Sequence, residues 1–337
     1  MRVCDWIANF VYDQGIRNIH GLTGGGAMGL NDGFIKHEGL NYIAYHHEQG
    51  AGHAAIGESK FTGIPSVVNP TTGCGGTNCI TSVLNAWQDS VPVIFISGNV
   101  KLVDCSRWIN QNKNVKIRKF GVQEHDIIET VKTITKKAFF VTKTEDIASV
   151  LQEAFYITQS DRPGPVWIDI PADIQSAEMP LDYKTFKFKD SANNVDTFRE
   201  DVLFLIHTSE RPVVLAGYGI RQSKQIDQFI NFITKFHIPY VSTYGARDYL
   251  PFDHNLNIGA VGIKGTRAGN FVMQNADLIL VLGSSLNSSV VGYDSSQFNP
   301  LAKKIVIDID KNELDKDLFN IDLKLNVSLE TFFEVMV

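Results

Sequence analysis

The sequence has few cysteines, and their spacing matches no common cysteine-based site. The four in 337 residues are Cys4, Cys74, Cys79 and Cys105. No CxxC pair is present, which argues against a zinc site and against a disulfide framework. We therefore expect reduced thiols and predict no metal site in this chain.

Long runs of one residue class are also missing. The net charge is −6 and no long basic run is present, so we do not expect nucleic acid as a partner. No apolar run is long enough to span a bilayer, and the first residues lack the apolar core of a signal peptide. We expect a cytoplasmic protein with no membrane partner.

The chain does contain an alternation of strand-like and helix-like segments. Strongly apolar runs at Ser66–Asn69, Val91–Ser97 and Pro165–Ile170 are typical of buried strands. Helix-length segments separate the strands, including one at Asn78–Trp87. Such alternation indicates βαβ units and a mostly parallel sheet. The predicted fold class is α/β, with two doubly wound parallel-sheet domains.

A change in composition separates two such alternating patterns. Residues 176–196 carry a proline, three lysines and several Ser, Asp and Asn residues without clear periodicity, which is typical of a linker. We predict a first domain at 1–178, a linker at 179–196 and a Rossmann-like central domain at 197–337. The length suits about two domains of roughly 150 residues each.

One acidic residue occupies an unusual position. Glu48 follows the strand-like run Tyr42–Tyr45 and precedes a stretch of glycine and alanine that predicts a tightly packed helix. Burying a carboxylate at such a corner is unfavourable unless something bonds to it, so a ligand is one explanation. The alternative is that Glu48 only caps the following helix, since carboxylates are favourable at helix N-termini.

A glycine-rich segment suggests a second kind of ligand. Gly24, Gly26 and Gly29 satisfy GxGxxG between a predicted strand and a helix, and Glu48 lies about 20 residues further on, as in a dinucleotide-binding fingerprint. Two features disfavour this interpretation: the small-residue helix after Glu48, and a second glycine turn at 71–78. A nicotinamide-dependent oxidoreductase remains the less favoured alternative.

Several short segments, taken in order, resemble the N-terminal two-thirds of the thiamine-diphosphate enzymes of the acetolactate synthase and pyruvate oxidase group. Two departures from the family pattern are Thr23 and Cys74, where many members have proline. The matching segments are IHGLTGGGA (19–27), HEQGAGHAA (47–55), TGCGGTN (72–78), NAWQDSVPVI (85–94), QE (123–124), TKK (135–137) and RPGPVWIDIP (162–171).

The resemblance implies a pyrimidine-binding first domain and a set of site residues. Glu48 matches the catalytic glutamate that bonds to N1′ of the cofactor's aminopyrimidine and favours the imino tautomer, whose nitrogen takes the thiazolium C2 proton. The other positions that the resemblance places at the cofactor are Thr23, Gly24, Gly25 and Gly26 in the first glycine loop, Thr72, Gly73 and Asn78 in the second, and Gln123.

The resemblance also implies a reaction and an assembly. Such enzymes decarboxylate a 2-oxoacid such as pyruvate and pass the activated aldehyde to an acceptor. They hold the cofactor's diphosphate through Mg²⁺ in a third domain marked by Gly-Asp-Gly, and they form homodimers or tetramers. This chain has no Gly-Asp-Gly. We therefore expect a diphosphate-binding domain supplied in cis or in trans, and this chain alone to be inactive.

Three explanations for the missing motif stay open. The first, which is favoured, is that the chain is a fragment of a longer enzyme. The second is that it is one subunit of a split enzyme, and the third is that it is a non-catalytic relative.

The central domain raises the question of a flavin. Segments 217–221 and 262–267 resemble flavin-contacting segments of the family. Relatives commonly carry arginine where Ser284 or Ser285 and Ser288 or Ser289 stand, and each lost guanidinium contact would remove about 1.5–3 kcal/mol. FAD is therefore possible but doubtful, and we expect its binding to be weak or absent.

Overall fold

The computed structural model describes residues 1–188 and 198–337. Two compact units divide the chain, Met1–Asp190 and Ser191–Val337. Each contains a six-stranded sheet in which every pair of neighbouring strands is parallel. The predicted fold class, two doubly wound α/β domains, is confirmed.

The first sheet has the strand order β2-β1-β3-β4-β6-β5. Its strands are β1 Asn18–Gly21, β2 Asn41–Ala44, β3 Ser66–Asn69, β4 Val93–Asn99, β5 Lys137–Phe140 and β6 Val166–Pro171. The helices of this unit are α1 Val3–Asp13, α2 Met28–Lys36, α3 Glu48–Thr62, α4 Cys74–Asn78, α5 Ile80–Gln88, α6 Ser106–Lys113, α7 Ile127–Val131, α8 Ile147–Gln159 and α9 Ala172–Ser176.

Helices cover both faces of this sheet, which explains the apolar strand sequences. Ile94 and Ile96 of β4 pack with α1, α2 and α8. Phe95 of the same strand points to the opposite face, where it packs with α3, α5 and α7. Its ring stacks on Trp167 of β6 with the ring centroids 5.1 Å apart.

The second sheet has the order β12-β11-β10-β7-β8-β9. Its strands are β7 Pro212–Ala216, β8 Tyr240–Ser242, β9 Asn257–Ala260, β10 Leu278–Leu282, β11 Lys303–Ile307 and β12 Leu323–Leu325. The helices are α10 Arg199–Thr208, α11 Gly219–Gln222, α12 Ile226–Phe236, α13 Arg267–Asn275, α14 Ser288–Val291, α15 Lys311–Asp315 and α16 Leu329–Met336. Two apolar clusters, one on each face, again enclose the sheet.

The predicted linker divides into two parts. Residues 179–188 belong to the first unit, where the Lys184 amide donates to the carbonyl of Glu145 at 2.9 Å and the Phe186 amide donates to Gln152 Oε1 at 2.8 Å. Residues 189–197 lie outside the described residues. Among the helices of the described residues, none has the length and apolar character needed to cross a membrane.

Candidate active site

Three segments meet at the carboxyl edge of the first sheet. Strand β1 lies between β2 and β3, so the chain leaving each of these parallel strands emerges at the same edge. The first glycine loop follows β1, Glu48 follows β2, and the second glycine loop follows β3. Ligands of parallel α/β sheets bind at this edge, in the crevice beyond the strand ends.

Glu48 is the first residue of α3 and its side chain is buried, with 6% of the residue exposed. Carboxylate Oε2 accepts a hydrogen bond of 2.9 Å from Asn78 Nδ2. Among the described residues nothing donates to the other oxygen, Oε1. A Cβ atom added to Gly75 would lie 3.0 Å from Oε1, so a glycine at this position keeps the space beside the carboxylate open.

The end of helix α3 is capped by another residue. His47 is the N-cap, and its Nδ1 accepts the amide of Gln49 at 3.1 Å. Glu48 therefore does not supply the side-chain cap, although its charge in the first turn favours the helix dipole. The capping alternative accounts for the charge of Glu48 at this helix end but not for the burial of its carboxylate.

The second glycine loop is held in a conformation that requires glycine. Gly73 has φ +61°, and a Cβ atom there would lie 1.6 Å from the carbonyl oxygen of Gln123. Gln123 itself is exposed and also has a positive φ, +57°. The structure thus brings Gln123, Gly73 and Asn78 together with Glu48 at one edge, as the sequence suggested, while their roles toward a ligand stay predictions.

The first glycine loop packs against the second. Cβ atoms added to Gly24 and Gly26 would lie 2.6 Å from Thr71 and 2.8 Å from Thr72. Gly25 has no atom within 4 Å of its Cβ position, so it is the glycine of this loop that faces open space. The preceding residue, Thr23, is exposed.

Two amides of the first loop, those of Gly24 and Gly26, are already bonded within the protein. Gly26 N donates to Thr71 Oγ1 at 3.1 Å, and Gly24 N donates to Asn31 Oδ1 at a longer 3.4 Å. A dinucleotide fingerprint uses amides of this kind to bind pyrophosphate. Their internal bonds disfavour the nicotinamide alternative.

Sequence reasoning missed the buried polar side chains that hold both loops. Gln175, which is fully buried, donates from Nε2 to the carbonyls of Gly26 and Ile170 at 2.8 and 2.7 Å. Asn99 Oδ1 accepts the Thr72 hydroxyl at 2.9 Å. The sequence feature that could have identified such a residue is a polar side chain at the end of an otherwise apolar strand, as at Asn99 in β4.

A buried carboxylate supports Asn99. Asp169 is 2% exposed, and its two oxygens accept Ser97 Oγ at 2.6 Å and Asn99 Nδ2 at 2.7 Å. Burial raises the pKa of Asp169 to about 7, although the hydrogen bonds from Ser97 and Asn99 lower it. Asp126 raises this pKa further and Arg107 lowers it.

The described residues offer no cluster of three or more His, Cys, Asp or Glu side chains suited to a metal ion. In the second unit, the loops after β7 and β10 approach closely, because a Cβ atom on Gly217 would lie 2.0 Å from the carbonyl oxygen of Gly283. Ser289, one of the positions considered for a flavin contact, bonds to Asn287 Oδ1 at 2.6 Å. The doubtful FAD site stays a prediction.

Two parallel α/β domains, the first with a buried acidic residue beside a glycine loop at its carboxyl edge, are typical of cofactor-dependent enzymes. Residues 1–130 match the family model "Thiamine pyrophosphate enzyme, N-terminal TPP binding domain", and residues 200–334 match "Thiamine pyrophosphate enzyme, central domain". The chain belongs to the thiamine pyrophosphate enzymes, and the resemblance seen in the sequence is confirmed.

Curated relatives point to one branch of this family. The chain is 34% identical over 311 residues to the acetolactate synthase large subunit of Lactococcus lactis. The aligned region covers 90% of this chain and 51% of that protein. It is 33% identical over 316 residues to the acetolactate synthase isozyme 1 large subunit of Escherichia coli, covering 93% and 53%. The chain spans about half the length of the curated relatives it matches.

Proposed function

We propose that this chain is the pyrimidine-binding and central portion of a thiamine-diphosphate-dependent 2-oxoacid decarboxylase and carboligase, similar to acetolactate synthase. The observation that carries this proposal is the carboxylate of Glu48. It is buried beside the second glycine loop, with one oxygen bonded to Asn78 and the other free of donors among the described residues.

The residues present fit an aminopyrimidine. Oε1 of Glu48 can accept a hydrogen bond from a protonated ring nitrogen, and Gly75 leaves room beside it. A charge-assisted bond of this kind would offset the desolvation of the carboxylate. Bound thiamine diphosphate would supply a nucleophilic carbon and an electron sink for decarboxylation.

Asn78 gives Glu48 a fixed orientation. Its Nδ2 donates to Oε2 at 2.9 Å, which holds the carboxylate in one orientation. With Oε2 engaged, the carboxylate presents Oε1 to a ligand, so this single oxygen would hold the proton shared with the ring nitrogen. Gln123, Gly73 and Thr72 would shape the neighbouring wall, and Thr23, Gly24, Gly25 and Gly26 the opposite one.

Binding of the cofactor's diphosphate and Mg²⁺ requires residues that are not among those described above. The proposal requires a domain, in cis or in trans, that holds the diphosphate and Mg²⁺, and it includes a homodimer or tetramer as the assembly. The substrate is a 2-oxoacid such as pyruvate. If the domain is supplied in trans, this chain is a partner-dependent subunit. We expect FAD to bind weakly or not at all, which a flavin absorbance spectrum of the purified protein would test.

Two binding measurements test the proposal. Ligand-observed NMR with 4-amino-5-hydroxymethyl-2-methylpyrimidine, the pyrimidine half of the cofactor, tests this chain directly and should detect binding. Thermal melts of the protein from its native reading frame should show stabilisation by thiamine diphosphate with Mg²⁺. Stabilisation by NAD without any by thiamine diphosphate, and no fragment binding, would contradict the proposal.

A further inference from the structure

A chain of buried hydrogen bonds runs from the interior of the first sheet to the second glycine loop. Trp167 Nε1 donates to Ser97 Oγ at 2.8 Å, and Ser97 Oγ donates to Asp169 at 2.6 Å. From the other side, the Thr72 hydroxyl donates to Asn99 Oδ1, and Asn99 Nδ2 donates to Asp169. Every donor in this chain is directed toward the carboxylate of Asp169.

The carboxylate of Asp169 and the backbone amide of Val100 together fix which way the Asn99 amide faces. An ionised carboxylate can only accept hydrogen bonds, so Asn99 must present Nδ2 to Asp169. Its Oδ1 then faces away and accepts both the Thr72 hydroxyl at 2.9 Å and the Val100 amide at 2.8 Å. The orientation of Asn99, and with it the anchor of Thr72, therefore follows from the acceptor at position 169 together with the Val100 donor.

A neutral amide at the same place would weaken this hold. An asparagine at 169 keeps one acceptor oxygen for Asn99 Nδ2 but turns its amino group toward Ser97, whose hydroxyl must change from donor to acceptor, and the bond to Asn99 is no longer assisted by a charge. Turning the Asn99 amide over would set Nδ2 against the amide of Val100, which is also a donor. The bond from Thr72 to Asn99 lies at the less buried end of the chain, so it is the bond expected to weaken when Asn99 is held less firmly.

We propose that Asp169 is a positioning residue that holds the second glycine loop, residues 71–78, in place through Asn99 and Thr72. The site lies on the sheet itself, because Ser97 and Asp169 are register partners on neighbouring strands β4 and β6. A rigid strand pair thus anchors the loop that contains Asn78, the partner of Glu48. The link to cofactor binding rests on the proposed function, whereas the loop anchor does not.

Hydrogen–deuterium exchange of peptides covering residues 71–78 tests the anchor without any ligand. At about pH 8.5, where Asp169 is ionised, Asp169→Asn and Thr72→Val should each speed exchange of these peptides about two- to tenfold, the effect of losing one hydrogen bond. Because both changes break the same path, the double variant should exchange no faster than the faster single one. Asp173→Asn is the matched control, an exposed carboxylate four residues further on, and should leave these peptides unchanged.

The double-variant result distinguishes positioning from general destabilisation. Additive effects of Asp169→Asn and Thr72→Val, or faster exchange spread equally over the first unit, would overturn the proposal. If Asp169→Asn does not fold, Asn99→Ala replaces it, since that change leaves the Ser97–Asp169 bond and removes the link to Thr72. The same criterion then applies to its pair with Thr72→Val.

Binding of the aminopyrimidine fragment to the same variants separates the two proposals. Weaker binding by Asp169→Asn, about two- to tenfold, is expected when the loop loses its anchor. If the wild-type protein binds no fragment, the proposed function fails, and the exchange result still decides the role of Asp169.

Discussion

Helices α3 and α5 approach so closely at Gly52 that an added methyl group should displace them. A Cβ atom on Gly52 would lie 2.0 Å from Ser82 Oγ and 2.5 Å from Ser82 Cβ. Ser82 is fully buried, and its hydroxyl donates to the carbonyl of Cys79 at 2.7 Å. Because α3 begins with Glu48, this contact also sets the position of the candidate catalytic carboxylate.

Gly52→Ala should destabilise the first unit despite the better helix propensity of alanine. Overpacking costs about 1–3 kcal/mol, and replacing a helical glycine by alanine returns about 1 kcal/mol. We expect a net loss of up to about 2 kcal/mol in the free energy of unfolding. Adding Ser82→Gly removes both clashing atoms, so the double variant should recover most of this loss.

Urea unfolding followed by tryptophan fluorescence measures this effect in the first unit alone. All four tryptophans, Trp6, Trp87, Trp108 and Trp167, lie in that unit. Gly57→Ala is the control on the same helix: no atom lies within 4 Å of its Cβ position, so it should stabilise by about 0.5–1 kcal/mol. The packing argument would be refuted if Gly52→Ala had the same free energy of unfolding as the wild type. It would also be refuted if adding Ser82→Gly restored none of the lost free energy of unfolding.

Two further predictions concern the polar groups and the glycine loops. Burial raises the pKa of Asp169 from 3.8 to about 7, so its contribution to stability is fully present below pH 4 and is lost as the pH rises to 7. Because Asp169→Asn removes this titrating group, the free energy of unfolding of the variant should fall less between pH 4 and pH 7 than that of the wild type. The difference is at most about 4 kcal/mol, at 1.36 kcal/mol per pH unit. The same pH dependence of unfolding in the variant and the wild type would contradict this prediction. In Gly73→Ala the new Cβ would sit on a backbone with positive φ and lie 1.6 Å from the Gln123 carbonyl oxygen, so binding of the pyrimidine fragment should be lost. Gly25→Ala places its Cβ in open space and should keep the fold intact. Equal thermal stability and fragment affinity in Gly73→Ala would count against the loop geometry.

The sequence was sufficient for features that depend on neighbouring residues. Ser66–Asn69 is a strand with the predicted bounds, because four buried residues between polar turns leave little choice. The predicted helix Asn78–Trp87 is two helices, α4 and α5, which meet at Cys79. Helix α4 begins at Cys74 and includes Gly75 and Gly76, so helical structure begins four residues earlier than the apolar periodicity indicated.

Features that depend on distant residues could not be predicted. Asp169 stands inside the apolar segment 166–171 and is separated from Asn99 by 70 residues. The two meet only because β6 pairs with β4, while β5 lies at the sheet edge. A single sequence does not determine that order, and without it the support of Thr72 by Asn99 and Asp169 does not follow.

Pyruvate turnover by Glu48→Gln tests the central claim most directly. In the protein from its native reading frame, with thiamine diphosphate and Mg²⁺ at saturation, CO₂ release should fall by about 10²–10⁴-fold, the contribution of a general acid–base group. Glu38→Gln, which removes an exposed carboxylate of the same unit, should retain wild-type turnover. Turnover of pyruvate or another 2-oxoacid that persists undiminished in Glu48→Gln would contradict the assignment of Glu48 as the catalytic carboxylate.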